Sequence, residues 1–355
     1  MEEDRLTSEC LRRILRYAEG KGWRGYDPYD GLLSPLGNLP IPLYRLLFQQ
    51  VLKRSPLWLR RVLLIPESHN PKGLALFLWA YSLLGDEGRA RRVFEILIRY
   101  RTDLEGGGIG FGYNFNWQSS VFYVPAYTPN TIATSFAIFA ISEANRRFGW
   151  DFPLERFLPF YERYLNRFRD ENGKLWMSYT PLDRLRIFNA SILGAVAYAT
   201  AGGDLDVLRE VADTLSYYQR DDGSWPYGLG HPRMDYVDHI HTAYNLWGLR
   251  WASEVVGGWE ETVSDGFNFY LRNLFNDEGL PVGRLGGRGH DTHDVAAALI
   301  TLKMFGERER AIEIERYACA HLVGEDGRVF NGPKDRRTFM RWSVAWLSLA
   351  LAFPT

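Results

Sequence analysis

Apolar and polar positions along this chain repeat one plan six times. An amphipathic helix is followed by a long loop rich in glycine and aromatic residues, then by a second helix that is apolar nearly all round. The periodicity predicts first helices near 41–54, 87–101, 154–169, 205–219, 259–275 and 307–321. Second helices are expected near 72–84, 130–145, 188–201, 240–254, 292–305 and 340–352. The second set contains runs such as 73–84 (GLALFLWAYSLL), 132–141 (IATSFAIFAI), 190–199 (ASILGAVAYA) and 342–352 (WSVAWLSLALA), which read as buried. The first set is striped with Arg and Glu, as in 90–101 (ARRVFEILIRYR). Links from first to second helix run roughly 16 to 28 residues and the return links roughly 1 to 8. Loops that long are uncommon in compact domains unless they carry function. If the helices alternate up and down, all six long loops emerge on one face. Repeats of this length cannot bury their apolar faces alone, so neighbours must stack. The expected fold is all-α: an (α/α)6 toroid, apolar helices inside and amphipathic ones outside, with short β-hairpins in the long loops. An open superhelix is the alternative.

At 355 residues the chain can build a large core, and the repeat plan makes it a single structural domain. Residues 41–355 form the ring; residues 1–40, with a helix near 5–19 and an aromatic loop at 22–33 (GWRGYDPYDGLL), pack on it. A net charge of −1 provides no basic field for nucleic acid. Residues 1–5 (MEEDR) lack a signal-peptide pattern, and no apolar run reaches the roughly 18 residues of a membrane span. A cytoplasmic location follows as the expectation; the oligomeric state stays open. Cys10 and Cys319 are too few for a disulfide framework. Only six of the 42 basic residues are Lys, as in chains from GC-rich or hot-living sources.

Four loops open on an acid–glycine turn: 170–173 (DENG), 221–223 (DDG), 277–279 (DEG) and 326–327 (DG). Such turns supply positive φ and predict a short hairpin at each. Tyr113, Phe115, Trp117, Tyr123, Tyr127, Trp176, Tyr179, Trp225, Tyr227 and Tyr236 crowd three successive loops. Those not spent on ring-to-ring packing would line a cleft suited to sugar rings or prenyl chains.

Histidine placement adds chemistry. Of seven, His69, His231, His239, His241, His290 and His293 fall in long loops or in the first turn of an inner helix. Alone, each reads as a cap or a packing residue. Adjacent repeats, however, carry 235–241 (DYVDHIH) and 290–294 (HDTHD), and a His beside a carboxylate suits proton transfer near neutral pH. Aligning the inner-helix starts gives one polar position per repeat: Asn70, Asn130, Asn189, His241, His293 and Arg341. N-capping accounts for the asparagines but poorly for His and Arg. Helix N-termini, with Lys72, Arg184, Arg186, Arg233, Arg336 and Arg337 nearby, suggest an anionic ligand. His239 with His241, and His290 with His293, admit a metal site, but the cluster lacks Cys and no HExxH helical pair occurs. The expectation is therefore no metal and no other cofactor.

Residues 219–225 (QRDDGSW) resemble the QxxxGxW repeat of squalene–hopene cyclases, and their DGSW core is shared with protein prenyltransferase β-subunits. Both families fold as α/α toroids, which is what the resemblance implies here; it covers one repeat well and the other loops loosely. The chain departs from them in lacking the DxDD acid of class II terpene cyclases, the DDxxD motif of ionising synthases, and a loop Cys to bind zinc. Residues 22–31 (GWRGYDPYDG), 222–225 (DGSW) and 239–244 (HIHTAY) also resemble a poorly characterised toroid family associated with polysaccharide gene clusters, over most of the chain.

Toroidal polysaccharide lyases and uronyl hydrolases share this architecture, and a polar cleft suits a sugar better than a carbocation. The expected function is that of a carbohydrate-active protein of polysaccharide metabolism. Its substrate would be an acidic, uronate-containing glycan or an activated sugar, and its chemistry that of a lyase, epimerase or hydrolase. A terpenoid cyclase-like protein and a non-catalytic glycan-binding scaffold are the alternatives. His241, Asp238, His293, Asp294, Tyr127 and Tyr236 are the candidate catalytic residues. Asn130, Asn189, Arg186, Arg341, Lys72, Trp117, Trp225, Tyr227, His239, His290 and Asp291 are the candidate binding residues. For a uronate, His241 beside Asp238 is the base; Asn130, Asn189 and Arg186 hold the carboxylate, and Tyr127 or Tyr236 returns a proton. For a neutral glycoside, Asp238 and Asp294 form the acid/base pair.

Overall fold

The computed structural model describes the backbone of residues 2–354 and the side chains of residues 7–354. The side chains of residues 1–5, read above for the absence of a leader pattern, lie outside the described residues. The helices are α1 (Glu2–Gly20), α2 (Pro42–Arg54), α3 (Trp58–Val62), α4 (Pro71–Leu84), α5 (Glu87–Ile98), α6 (Thr131–Phe148), α7 (Phe188–Thr200), α8 (Leu205–Tyr217), α9 (His239–Val256), α10 (Glu260–Asn273), α11 (Thr292–Met304), α12 (Arg308–Tyr317) and α13 (Trp346–Ala352). A wide π-type turn, Met340–Ala345, leads into α13, and two short turns, Leu154–Phe157 and Phe160–Tyr164, replace the outer helix expected at 154–169.

The inner helices close on themselves. α4 packs on α6, α6 on α7, α7 on α9, α9 on α11, α11 on α13, and α13 returns to α4. The second helices are buried on nearly every side, as their apolar runs require: every residue of α4 from Pro71 to Ser82 is buried. Close approach is built in by glycine. A Cβ on Gly194 would lie 2.6 Å from Thr131 Cγ2, and one on Gly248 2.6 Å from Ile192 Cγ1. Return links are two to five residues long. Gly85 (φ +72°) and Gly149 (φ +67°) terminate α4 and α6 in the left-handed region.

The phase of the outer ring differs from expectation. α5, the 154–164 turns, α8, α10 and α12 cover α4, α6, α7, α9 and α11, but α1 rather than residues 42–54 covers α13. Burial explains why. α1 turns Cys10, Leu11, Ile14, Leu15 and Ala18 into the core, whereas α2 buries only Gln49 and Leu52. α2 and α3 therefore ride within one long connection, residues 21–70, against the 30–33 turn and the strand at Trp117–Gln118.

The acid–glycine turns behave as their chemistry dictates. Gly173, Gly223, Gly279 and Gly327 all have positive φ. Arg167–Arg169 pairs with Leu175–Met177 as a hairpin, and single bridges Phe275↔Pro281 and Val323↔Val329 close two other turns. The turn at 221–223 has no strand pair; instead Arg220 N–H donates to Ser224 O. Arg186–Ile187 pairs with Gly228–Leu229 and ties two neighbouring loops together.

Two cysteines too few for a framework nevertheless form one bond. Cys10 of α1 and Cys319, just beyond α12, are a disulfide with Cα atoms 5.9 Å apart, joining the first and last outer elements across 309 residues. Such a bond persists in oxidising compartments and in the cytosol of hyperthermophiles. Cys10→Ser should lower unfolding free energy by about 2–4 kcal/mol, measured by denaturant titration. A wild-type transition unmoved by reductant would contradict this tie.

Candidate active site

One geometric rule builds the site. Each inner helix follows an N-cap position: Asn70, Asn130, Ile187, Asp238, Asp291 and Phe339 in turn, of which the Asn and Asp side chains accept backbone N–H groups and Ile187 and Phe339 do not. Two positions after the cap come Lys72, Ile132, Asn189, Ile240, His293 and Arg341, and all six line a single cavity of about 180 Å³. The second residue of every inner helix thus points to the ring axis, where the helix N-termini with their partial positive charge converge. The cavity is smaller than the ~300–1,000 Å³ typical of drug-sized ligand sites, which suits a small ligand.

The loops add an aromatic wall. Tyr29, Tyr113, Phe115, Trp117, Tyr179, Tyr227, Tyr236, Tyr244 and Trp342 all face the cavity. Trp117 meets Tyr179 at 5.7 Å between ring centroids, Tyr113 OH and Tyr179 OH are 3.0 Å apart, and Tyr227 stacks on Tyr236 at 5.3 Å. Burial raises the Tyr179, Tyr227 and Tyr244 phenols well above their ordinary range, which favours the neutral hydroxyl at each.

Two histidines share this cavity with different supports. Asp238 caps α9 by accepting from the His241 backbone N–H at 2.8 Å, and its carboxylate meets His241 Nδ1 at 2.7 and 2.9 Å. Nδ1–H therefore donates to Asp238, which leaves Nε2 as the ring nitrogen not tied to that carboxylate. His293 is buried, stacked on Trp346 at 4.5 Å, with Nε2 3.1 Å from Tyr244 OH and Nδ1 without a partner. Desolvation, then the charges of Lys72 and Arg341, hold His293 well below the usual imidazole range, so it is neutral. Behind it, Lys72 Nζ donates to Tyr244 OH at 3.2 Å and lies 4.5 Å from the Phe136 ring centroid. Burial, then Arg341, lowers the Lys72 ammonium well below its ordinary value. Lys72 has no carboxylate partner among the described residues. Arg341 does: Asp27 holds its guanidinium at 2.6 and 2.8 Å, while Asp30 in the same loop holds Arg60 at 2.9 Å.

Several sequence candidates lie away from the cavity wall. Asn130 caps α6, accepting from Ala133 N–H at 2.8 Å, and Ile132 takes the inward position. Arg186 turns outward to Glu171 at 2.7 Å. Trp225 is a core residue, its indole donating to Leu215 O at 2.8 Å and its ring filling the space left by Gly266. His239 is fully buried between Leu274 O (3.2 Å) and Tyr270 OH (2.5 Å), on the side of α9 away from His241. His290 bonds Tyr317 OH at 2.9 Å. Asp291 and Asp294 form a capping box on α11, with Asp291 also accepting from Trp342 Nε1 at 2.7 Å. Burial, then Asp291, raises Asp294 well above the carboxylate range. Tyr127 is surface-exposed, stacked on Tyr100. The wall thus keeps His241, His293, Asn189, Arg341, Lys72, Trp117, Tyr227 and Tyr236, and Asp238 supports it from behind. Among the described residues no carboxylate lines it, and no group of three or more His, Cys, Asp or Glu is placed to hold a metal. Sequence reading missed roles for Asp27, Tyr29 and Tyr244. Lys72, His293 and Arg341, named from the sequence, share one register, two residues after the N-cap position of their helices.

No protein-family model and no curated protein sequence matches the chain. Solved structures do. Cellobiose 2-epimerase from Bacillus thermoamylovorans superposes with a TM-score of 0.61 at 12% identity, covering 80% of this chain and 87% of its own. A GH76 alpha-mannanase from Bacteroides thetaiotaomicron gives 0.57 at 10% identity, covering 79% and 85%. Protein geranylgeranyltransferase-I from Candida albicans, complexed with GGPP, gives 0.51 at 12%, covering 79% and 83%. These neighbours are α/α toroids, and so is this chain. Likeness at this identity carries the fold, and three different activities share it.

His239 makes a testable demand on stability. Desolvation lowers it to about 3, so below the ordinary 6.5 the unfolded chain takes up a proton that the folded chain refuses. Its contribution is present above pH 6.5 and lost as pH falls towards 3, at about 1.4 kcal/mol per pH unit. His239→Gln should show a flatter fall in unfolding free energy between pH 7.5 and 5 than wild type, by roughly 2 kcal/mol in urea titrations. Parallel profiles would contradict this.

Proposed function

We propose that this chain is a carbohydrate-active isomerase or epimerase that moves a proton on a small sugar. The observation carrying the reading is that His241, oriented by Asp238, and His293, backed by Tyr244 and Lys72, share one small cavity whose described wall has no carboxylate. The aromatic wall suits a sugar's apolar faces, and the epimerase neighbour acts on a sugar within the same fold.

In this reading the open-chain sugar presents the carbon beside its carbonyl. His241 Nε2 takes the C–H proton, and the bonding pair moves to form an enediolate with its negative charge on the former carbonyl oxygen. The Lys72 Nζ–H groups, the tyrosine hydroxyls and the converging helix N-termini stabilise that charge. A proton returned through the Lys72–Tyr244–His293 chain to the opposite face inverts the carbon; returned to the neighbouring carbon, it converts aldose to ketose. Two-carboxylate glycoside hydrolysis loses support, because Asp294 is committed to its capping box.

A second reading rests on Lys72, a buried amine without a carboxylate partner among the described residues, whose charged form an incoming carboxylate would favour. It would hold the carboxylate of a uronate, with His241 removing the proton at C5 for epimerisation or β-elimination. Arg186 and Asn130, expected to share that carboxylate, stand off the wall, and Asn189 and Lys72 remain.

The test is solvent deuterium incorporation, followed by NMR in D2O across aldoses, ketoses, disaccharides and uronates. Wild type should exchange one carbon-bound proton, and His241→Ala and His293→Ala should each lower the rate by about 10²-fold or more. Exchange confined to uronates with an unsaturated chromophore favours the second reading. No exchange on any of these sugars contradicts both.

A further inference from the structure

Residues 31–66 carry five basic side chains and no Asp or Glu. They take α2 and α3 across the loop face beside the cavity wall: Gln49 Oε1 accepts from Gln118 N–H at 3.3 Å, and Lys53 Nζ donates to Tyr29 OH at 2.8 Å. A surface helix ordinarily turns its apolar stripe inward. α2 turns only part of its apolar surface inward, Leu52 with Phe48 packed beside it. Gln49 and Leu52 are its buried residues, while Leu43, Leu47 and Val51, spaced four apart on one stripe, face solvent. Three residues later α3 presents Trp58 and Val62, one turn apart, and Leu64 follows. These six side chains are 55–73% exposed. Exposed apolar surface concentrated in this way marks an interaction site.

Beside α3 runs an open groove lined by Trp58 and five cations: Lys21, Arg24, Arg61, Arg328 and Arg336. Its two carboxylates are already committed, Glu67 to Lys21 at 3.3 Å and Asp326 to Arg328 at 2.6 Å. Arg24, Arg61 and Arg336 have no carboxylate partner among the described residues.

We propose that this face docks on an anionic membrane surface, with Leu47, Val51, Trp58 and Val62 at the acyl boundary and Arg24, Arg61 and Arg336 against lipid phosphates. The charge pattern selects this occupant. A protein partner would cover the leucines equally well, but a 36-residue stretch free of acids, flanked by an unpaired arginine groove, complements a surface of one sign. Trp and Leu beside Arg and Lys form the pattern of a helix that lies in the headgroup layer. At 13 and 5 residues α2 and α3 lie on the bilayer rather than cross it, and no helix among the described residues is long and apolar enough to span.

The experiment is co-sedimentation of the full chain with vesicles of phosphatidylcholine alone or mixed with phosphatidylglycerol, with light scattering of the lipid-free protein. Binding should require phosphatidylglycerol and weaken with salt. Arg61→Gln with Arg336→Gln should weaken it roughly twenty-fivefold, at about fivefold per cation removed. Leu47→Ser with Val51→Ser should abolish it while the far-UV circular dichroism stays unchanged, because both side chains are exposed. No binding to the anionic vesicles, or equal binding to both kinds, overturns the proposal. So does a lipid-free dimer that Leu47→Ser with Val51→Ser dissolves, since a second copy would then cover the face.

Discussion

Closure of the inner ring, where α13 packs back on α4, is the constraint on which the remaining structure depends. Helices as apolar as α4, α7 and α13 have no side to give to water, and only a closed ring provides each with two inner neighbours and an outer cover. Closure also aligns six N-termini on one side. One register recurs: the residue two places after each N-cap position faces the axis, and in this chain those six residues are Lys, Ile, Asn, Ile, His and Arg. The packing that stabilises the molecule is thus the same geometry that gathers its chemistry.

What gathers there is electrostatically unusual. Arg341 is neutralised by Asp27, a residue the 22–33 loop carries across the ring opening, so the loop contributes a counter-ion as well as the aromatic Tyr29. Lys72 receives no such partner and leans on the faces of Phe136, Trp346 and Tyr244. The two histidines differ accordingly in their surroundings. One is held by a carboxylate; the other is kept neutral by burial and by neighbouring positive charge. Environments that differ this much around like side chains are how one site presents different proton-transfer groups at one pH.

Much of the fold was legible because period and loop length are properties of local sequence. The inner-helix ranges agree with the structure to within a few residues, and the acid–glycine turns carry the positive φ their chemistry predicts. The phase error at 41–54 has a clear cause: amphipathic period reports that a helix has an apolar side and is silent on whether that side is buried, and α2 leaves Leu43, Leu47 and Val51 in solvent. The site was half legible. Asn130 and Asn189 align in sequence, but Asn130 caps its helix while Asn189 lies two residues past a non-capping Ile187, so only Asn189 reaches the wall. His239 and His241 are two residues apart and face opposite sides of α9, one to Tyr270 and one to the cavity. Asp27 and Tyr29 come from a loop far away in sequence, and long-range pairing of that kind leaves no periodic trace.

The account stands on the unlike states of two histidines at one cavity. The most direct measurement is a nitrogen-15 NMR titration of the imidazole side chains, with and without saturating sugar. The prediction is a His241 with its proton on Nδ1 beside Asp238, a His293 still neutral well below the ordinary imidazole value of 6.5, and both rings shifted by the same sugar. A His293 that titrates at 6.5, or two rings indifferent to every sugar offered, would contradict it.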